Sequence, residues 1–194
     1  MTEPSDPILR FTRAFEEAKK KEPSDPSAFV LATSGPDGKP AARVVLLKHF
    51  DNRGFVFYTN LESRKARELH AVRYAALCFY WPSVEQQVRI EGRIEQVPDE
   101  EADSYFATRP RGAQVGAWAS NQSAPLSSRA ELEKRFKEVE QKFAGRDVQR
   151  PPFWSGFRLI PELMEFWRFW ENRLHDRTLY SRAGEEWKIQ KLYP

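Results

Sequence analysis

The sequence predicts a mainly β protein with added helices, its strands antiparallel and closed, or partly closed, into a barrel. Short apolar stretches of strand length follow one another between turn signals such as "PDGK" and "DNRG", the pattern of small all-β barrels. These stretches number about eight and fall into an early and a late group, with most of the helical periodicity inserted between them. No segment repeats, and no tract is of low complexity.

Asp6 and Pro7 open a helix: a capping carboxylate, then a residue whose missing N–H costs nothing in the first turn. Ile8, Leu9, Phe11 and Phe15 give this helix an apolar stripe that runs up to the lysines at 19–21. "SAFVLATS", "PAARVVLLKHF" and "GFVFYTN" read as three strands of a meander, with Gly38 in the first turn able to take positive φ. "SRKARELHA" is a short helix with basic residues at its start. "RYAALCFYW" and "QQVRIEGRIEQV" are two more strands, the second alternating well. After Pro98 the period turns helical in "DEEADSYFATR", "AQVGAWAS" and "SSRAELEKRFKEVEQKF", the last carrying Leu132, Phe136, Val139 and Phe143 at helical spacing. "RPPFW" is a linker, and "GFRLIP", "LMEFWRF", "RLHDRTLYSR" and "EWKIQKLYP" close the chain as strands. Residues 1–26 form an N-terminal helical segment and residues 27–194 one domain.

With 194 residues the chain can bury a substantial core. Its 30% charged and 40% apolar residues are those of a globular protein. The net charge of +3 is the small difference between 31 basic and 28 acidic residues, too weak an excess to call for nucleic acid. A local basic pocket for a phosphorylated small molecule fits it as well. The single cysteine, Cys78 in "YAALCFYW", rules out an intrachain disulfide and reads as a core thiol. The start, "MTEPSDPILRF", lacks the pattern of a signal peptide. No apolar run approaches the ~20 residues that span a bilayer, so a cytoplasmic protein without membrane contact is expected.

Several familiar constellations are missing: a Gly-rich phosphate loop, paired cysteines, HExxH. His49, His70 and His175 are scattered, and no metal site is expected. "GAWAS" holds Ser120 without a nucleophile elbow. What stands out is a set of basic residues at strand ends and turns. Arg43 and Lys48 bound "RVVLLK", and Arg64 and Lys65 open a helix, where free N–H groups already favour an anion. Tyr105 and Arg109 share a helical face at i, i+4. "RLHDR", read as a strand, puts Arg173, His175 and Arg177 on one face, with Leu174 and Asp176 on the other. Such a face calls for something anionic opposite it. The 13% aromatic content suits a planar ring ligand.

Taken in order, "RVVLLK", "FVFYTNLESRKARE", "QVRIEGRIE", "YFATRPR", "QVGAWASNQS", "EFW" and "RLHDR" resemble the pyridoxine (pyridoxamine) 5′-phosphate oxidase family, flavoenzymes of vitamin B6 metabolism. The resemblance runs from residue 27 to the C-terminus. It implies an FMN-binding split β-barrel, homodimeric, with FMN at the subunit interface. The flavin contacts it implies fall on Arg43, Val44, Val45, Leu46, Leu47, Lys48, Tyr58, Thr59, Arg64, Lys65, Gln87, Gln122, Ser123, Trp167 and Arg177. The implied substrate contacts are Lys48, Tyr105 and Arg109 at the phosphate, with Arg173 and His175 as the catalytic pair at the reacting carbon. The implied reaction is hydride transfer from C4′ of pyridoxine or pyridoxamine phosphate to flavin N5. Oxygen is reduced to hydrogen peroxide and the product is pyridoxal phosphate; the amine passes through an imine that water hydrolyses.

The chain departs from the family pattern in two places. Ala113 in "RPRGAQ" stands where a serine is usual, removing a hydroxyl donor to the phosphate. After "EFW" come Arg168, Phe169 and Trp170 in place of glutamine and glycine. Both bear on the substrate more than on the cofactor. The alternatives are a related FMN oxidase of another ring, of phenazine type, and a non-catalytic flavin- or pyridoxal-phosphate-binding protein. The first departs further at "RVVLLK" and "RPR", and the second has no need of both Arg173 and His175.

Overall fold

The computed structural model describes residues 4–194. It opens with helix α1 (Pro7–Lys21), where the Asp6 carboxylate accepts from Ile8 N at 2.8 Å. The early strands are β1 (Ala28–Ser34), β2 (Pro40–Leu46), β3 (His49–Asp51) and β4 (Gly54–Asn60). Helix α2 (Arg64–Ala71), β5 (Tyr74–Trp81) and β6 (Gln86–Gln96) follow. Helices α3 (Asp99–Thr108), α4 (Arg111–Ala119) and α5 (Arg129–Lys142) then precede β7 (Trp154–Arg168), β8 (Asp176–Ala183) and β9 (Glu186–Leu192).

The 9-stranded antiparallel sheet runs β2-β1-β5-β6-β7-β4-β3, with β8 added to β7 and β9 to β8. β7 is the hub. One of its edges follows β6 over 157–168, while the other pairs with β4 over 154–159 and with β8 over 163–168. The sequence reading divides this 15-residue strand in two at Pro161. Pro161 is accommodated because it falls between the β4 and β8 pairings, at a register shift where Glu91 meets Leu163 and Gly92 meets Pro161. A proline needs no ladder partner at such a bulge. Gly92 is required there, since a Cβ would collide with the Ile160 carbonyl.

"PAARVVLLKHF" is likewise two strands, not one. The chain leaves β1 after Leu46 and joins β4 at His49, with Lys48 at the crossing and its N–H on Val56 O at 2.9 Å.

Strand alternation sends Phe29, Leu31, Phe57, Leu77, Phe79, Val88, Ile90 and Phe157 into one core. Helix α1 closes it: Phe11 is fully buried, with the rings of Phe50 and Phe55 each 4.9 Å away. Leu9, expected on the apolar stripe, is 45% exposed; it lies about 100° around the helix from Ile8, off the buried face. Cys78 is half-buried rather than a core thiol, and burial raises its pKa. It sits on the outer sheet face beside the exposed Val30. A smaller cluster of Phe106, Val115, Phe143, Val148 and Trp154 lies under α3–α5. Among the described residues, no helix is long and apolar enough to cross a membrane.

Candidate active site

Between β4 and helices α3 and α4 lies a cavity of about 370 Å³. Lys48 enters it from the β2–β3 crossing, Tyr58 and Thr59 from β4, and Tyr105 and Arg109 from the end of α3. Gln122 reaches it from the loop after α4, and Ala113 from the first turn of α4. Tyr58, Tyr105 and Trp154 form a cluster of near-parallel rings, with Tyr105 4.1 Å and Trp154 5.2 Å from Tyr58 and 6.2 Å from each other. Burial, then the charge of Glu101, pushes the Tyr58 phenol up to about 12, so it is neutral and able to donate at ordinary pH.

Arg109 lies over the Trp154 ring at 4.7 Å. Its Nη1 is buried without a hydrogen-bond partner among the described residues, and burial lowers its pKa. A buried cation without a counter-ion is costly. An anion beside Lys48 and Tyr105 would offset that cost, and a phosphate group has the charge and the acceptors for it.

A second basic cluster forms at the start of α2. Ser63 caps the helix, and Lys65 Nζ donates to Gln122 Oε1 at 2.8 Å, Thr59 Oγ1 at 3.1 Å and Ser63 Oγ at 3.3 Å. None of these is a carboxylate, and burial together with nearby Arg43 depresses the Lys65 pKa. Arg43 and Arg64 share the buried Glu68 carboxylate at 3.3 and 2.7 Å, and Thr33 donates to the same group. Three cations thus face one carboxylate, an excess that suits a phosphate monoester at a helix N-terminus. The residues present therefore fit the phosphate of FMN. Along "RVVLLK", Val44 is 67% exposed, Val45 and Leu46 are half-buried, and the Leu47 side chain lies in the core. Contact of Leu47 with a ligand would run through its backbone. Ser123 follows Gln122 in the left-handed region, at φ 71°.

The remaining predicted residues sit elsewhere. Gln87, Trp167 and Arg177 are neighbours across β6, β7 and β8. Arg177 donates to Glu165 Oε1 at 2.8 Å and to Tyr193 O at 2.9 Å; its hydrogen bond to Glu165 raises its pKa. The expectation that Arg173, His175 and Arg177 share one strand face is corrected. β8 begins only at Asp176, and Asn172 and Arg173 have φ of 56° and 61°. Two successive left-handed residues make a turn that a strand cannot contain. Arg173 is exposed on that turn, and His175 precedes the strand. The His175 ring is 4.6 Å from Trp167, and its Nδ1 accepts from Trp170 N at 3.2 Å. Phe169 and Trp170 are 44% and 62% exposed, so neither fills the core.

Trp154 and Trp167 lie near opposite ends of β7. The strand from 154 to 167 has a contour of roughly 40 Å at ~3.3 Å per residue. The cavity and the Trp167 face are therefore separate places on one protomer. The sequence reading missed Trp154, which it left in a linker, and Glu68, which i, i+4 spacing from Arg64 could have flagged.

Fold and site together define an antiparallel split-barrel protein with two cation clusters beside an aromatic cavity. A family model described as "Pyridoxamine 5'-phosphate oxidase" matches residues 15–143. A second, "Pyridoxine 5'-phosphate oxidase C-terminal dimerisation region", matches residues 154–194. Among curated relatives, the pyridoxine/pyridoxamine 5′-phosphate oxidase of Myxococcus xanthus is 62% identical over 98% of this chain and 93% of its own. That of Brucella canis is 51% identical over 100% of this chain and 96% of its own. Among solved structures, PhzG from Burkholderia lata, in complex with tetrahydrophenazine-1-carboxylic acid, superposes with a TM-score of 0.93 at 35% identity. That match covers 98% of this chain and 94% of PhzG. An FMN-binding, pyridoxamine 5′-phosphate oxidase-related protein of Nostoc punctiforme has a TM-score of 0.76 at 18% identity, covers 96% of each chain, and shares the fold. The chain belongs to the pyridoxine/pyridoxamine 5′-phosphate oxidase family.

Proposed function

We propose that this protein is an FMN-dependent oxidase that converts pyridoxine 5′-phosphate or pyridoxamine 5′-phosphate to pyridoxal 5′-phosphate, with O2 reduced to H2O2, and that it works as a homodimer. The observation that carries the substrate class is Arg109, a half-buried guanidinium whose buried Nη1 has no hydrogen-bond partner among the described residues, in the same cavity as Lys48 and Tyr105. Those three residues hold the substrate phosphate. Arg43, Arg64 and Lys65 hold the FMN phosphate, with Gln122 and Ser123 beside them. FMN, when bound, supplies the hydride acceptor and the route to oxygen.

The two half-sites are completed across the dimer: the Gln87–Trp167–Arg177 face of one copy closes the flavin held by the other. Arg173 and His175 then meet the reacting carbon. Arg173, exposed and not committed to a carboxylate among the described residues, stabilises negative charge on the substituent at C4′. His175, whose Nδ1 accepts the Trp170 N–H, is in its neutral form the Nε2–H tautomer. It therefore presents a donor to substrate. Residues 27–194 form the oxidase domain in this reading, residues 1–26 an N-terminal helical segment whose α1 packs on its core, and the protein works in the cytoplasm.

Protein purified without added flavin should be yellow and release FMN on denaturation. Incubated with each phosphorylated vitamer, it should yield aldehyde and peroxide in equal amounts, and it should size at twice 22.7 kDa. A colourless protein that fails to bind FMN in titration would sink the cofactor reading. The likeness to PhzG makes tetrahydrophenazine-1-carboxylic acid the control substrate. Turnover of it, without turnover of either vitamer, would replace the substrate assignment.

A further inference from the structure

Helix α3 carries Tyr105 and Arg109 to the cavity, and its apolar packing runs through Ala102, Phe106 and the Tyr105 ring alone. Of its ten residues only Ala102 and Phe106 are buried, and its N-cap, Pro98, makes no side-chain hydrogen bond. Its first turn is acidic, and two arginines grip those acids. Arg158, on β7 and 2% exposed, donates from Nη2 to both oxygens of Glu101 at 2.9 and 2.8 Å. Arg150 donates to Asp103 at 2.5 Å, to Asp99 at 2.8 Å and to the Trp154 carbonyl at 2.7 Å.

Arg158 also reaches a second element. Its Nη1 donates to Asp51 Oδ1 at 3.2 Å, at the end of β3. Lys48 lies three residues before Asp51, while Tyr105 and Arg109 lie one and two turns after Glu101 on the same helical face. One buried guanidinium thus ties together the two segments that deliver the cations of the cavity.

We propose that Arg158 is a positioning residue for the substrate phosphate: gripping Glu101 and Asp51, it sets Tyr105 and Arg109 against Lys48. A second consequence follows from charge. Asp99, Asp103 and Glu101 of α3 are occupied by Arg150 and Arg158, which directs their charge away from Arg109, six to ten positions further along the same segment. The inference rests on the phosphate site proposed above.

The test uses the FMN-loaded dimer and pyridoxamine 5′-phosphate. Arg158→Lys keeps the charge and loses the two-pronged grip. It should raise KM about ten-fold, since small displacements of binding groups are costly, with kcat within two-fold and FMN affinity unchanged. Glu101→Gln, at the rim of the network, should raise KM by about three-fold through the same contact; it covers the case in which Arg158 variants do not fold. A general loosening of the fold would instead weaken FMN and substrate together, and that result overturns the proposal. So does a lowered thermal midpoint with KM unmoved. Arg109→Ala, run in parallel, separates the layers. If it raises KM while Arg158→Lys and Glu101→Gln do not, the positioning role fails alone. If it too leaves KM unmoved, the phosphate site itself is misassigned and the inference falls with it.

Discussion

The two ends of β7 are built on opposite electrostatic plans. At the Trp154 end, Arg109 and Lys65 are partly buried and have no carboxylate partner among the described residues, and stacked aromatic rings shut out water around Arg109. At the Trp167 end, Arg177 is paired with Glu165, while Arg173, Phe169 and Trp170 stand exposed. The first end has the excess of positive charge that suits an anion. The second is a surface whose aromatic and cationic side chains have no cover within one protomer. In the function proposed above, binding and chemistry are divided between these two faces, which would meet when two copies associate and give the dimer a catalytic purpose.

The largest effect expected from this contrast is at the exposed end. Arg173→Ala should lower kcat by about 10²–10³, because the charge it meets grows during oxidation, while KM changes little. Steady-state kinetics on the flavin-loaded variant reads this directly. A rise in KM alone would make the Trp167 end a second binding surface and erase the contrast.

Next comes a mixed dimer. Arg109→Ala and Arg173→Ala chains, each nearly inactive at low substrate, should regain up to about half of native activity when co-assembled, since one of the two shared sites then carries neither defect. If each site lay within one protomer, both sites of the heterodimer would stay broken and no recovery would be seen.

A smaller effect is expected at Ala113, which lines the cavity with Lys48, Tyr105 and Arg109. Ala113→Ser should add one charge-assisted hydrogen bond to the substrate phosphate, lowering KM about 3- to 30-fold, on the order of 1–2 kcal/mol. The phosphate does not react, so ground and transition states gain equally and kcat stays nearly fixed. A change in kcat at constant KM would move the phosphate away from this end.

The smallest effect is on stability. Burial pushes the Glu68 carboxyl up, but hydrogen bonds from Thr33 and Arg64, with the charge of Arg64, hold it below its ordinary 4.5. A depressed folded value means stability that is complete above 4.5 and is lost as pH falls through the lower folded value. The thermal midpoint of cofactor-free protein should therefore fall more steeply on acidification for native chain than for Glu68→Gln. Parallel acid limbs would show that Glu68 does not neutralise the basic cluster.

Much of the fold could be read along the chain because its signals are local. The alternation of "QQVRIEGRIEQV", the Asp6–Pro7 cap and the turn at Gly38 each act within a few residues. The errors share a different cause. Pro161 looks like a strand end until β4 and β8 are seen to pair on either side of it. "RLHDR" looks like one strand face until Asn172 and Arg173 turn out left-handed. The neighbourhood of Lys48, Tyr105 and Arg109 was drawn from resemblance, since residues so far apart in sequence carry no mark of their meeting.

The sequence by itself determined which segments became strands and helices, the basic character of the α2 start, and the family to which the chain belongs. Period, capping and composition are properties of neighbouring residues, and an ordered set of motifs survives without knowledge of contacts. Only the tertiary structure decided that Arg109 lies unpaired over Trp154, that Glu68 stands between Arg43 and Arg64, and that Arg158 holds Glu101 from 57 residues away. Those are matters of charge and burial between distant segments. Whether a charged side chain ends up solvated, paired or poised for a ligand is settled when the sheet closes and water is excluded.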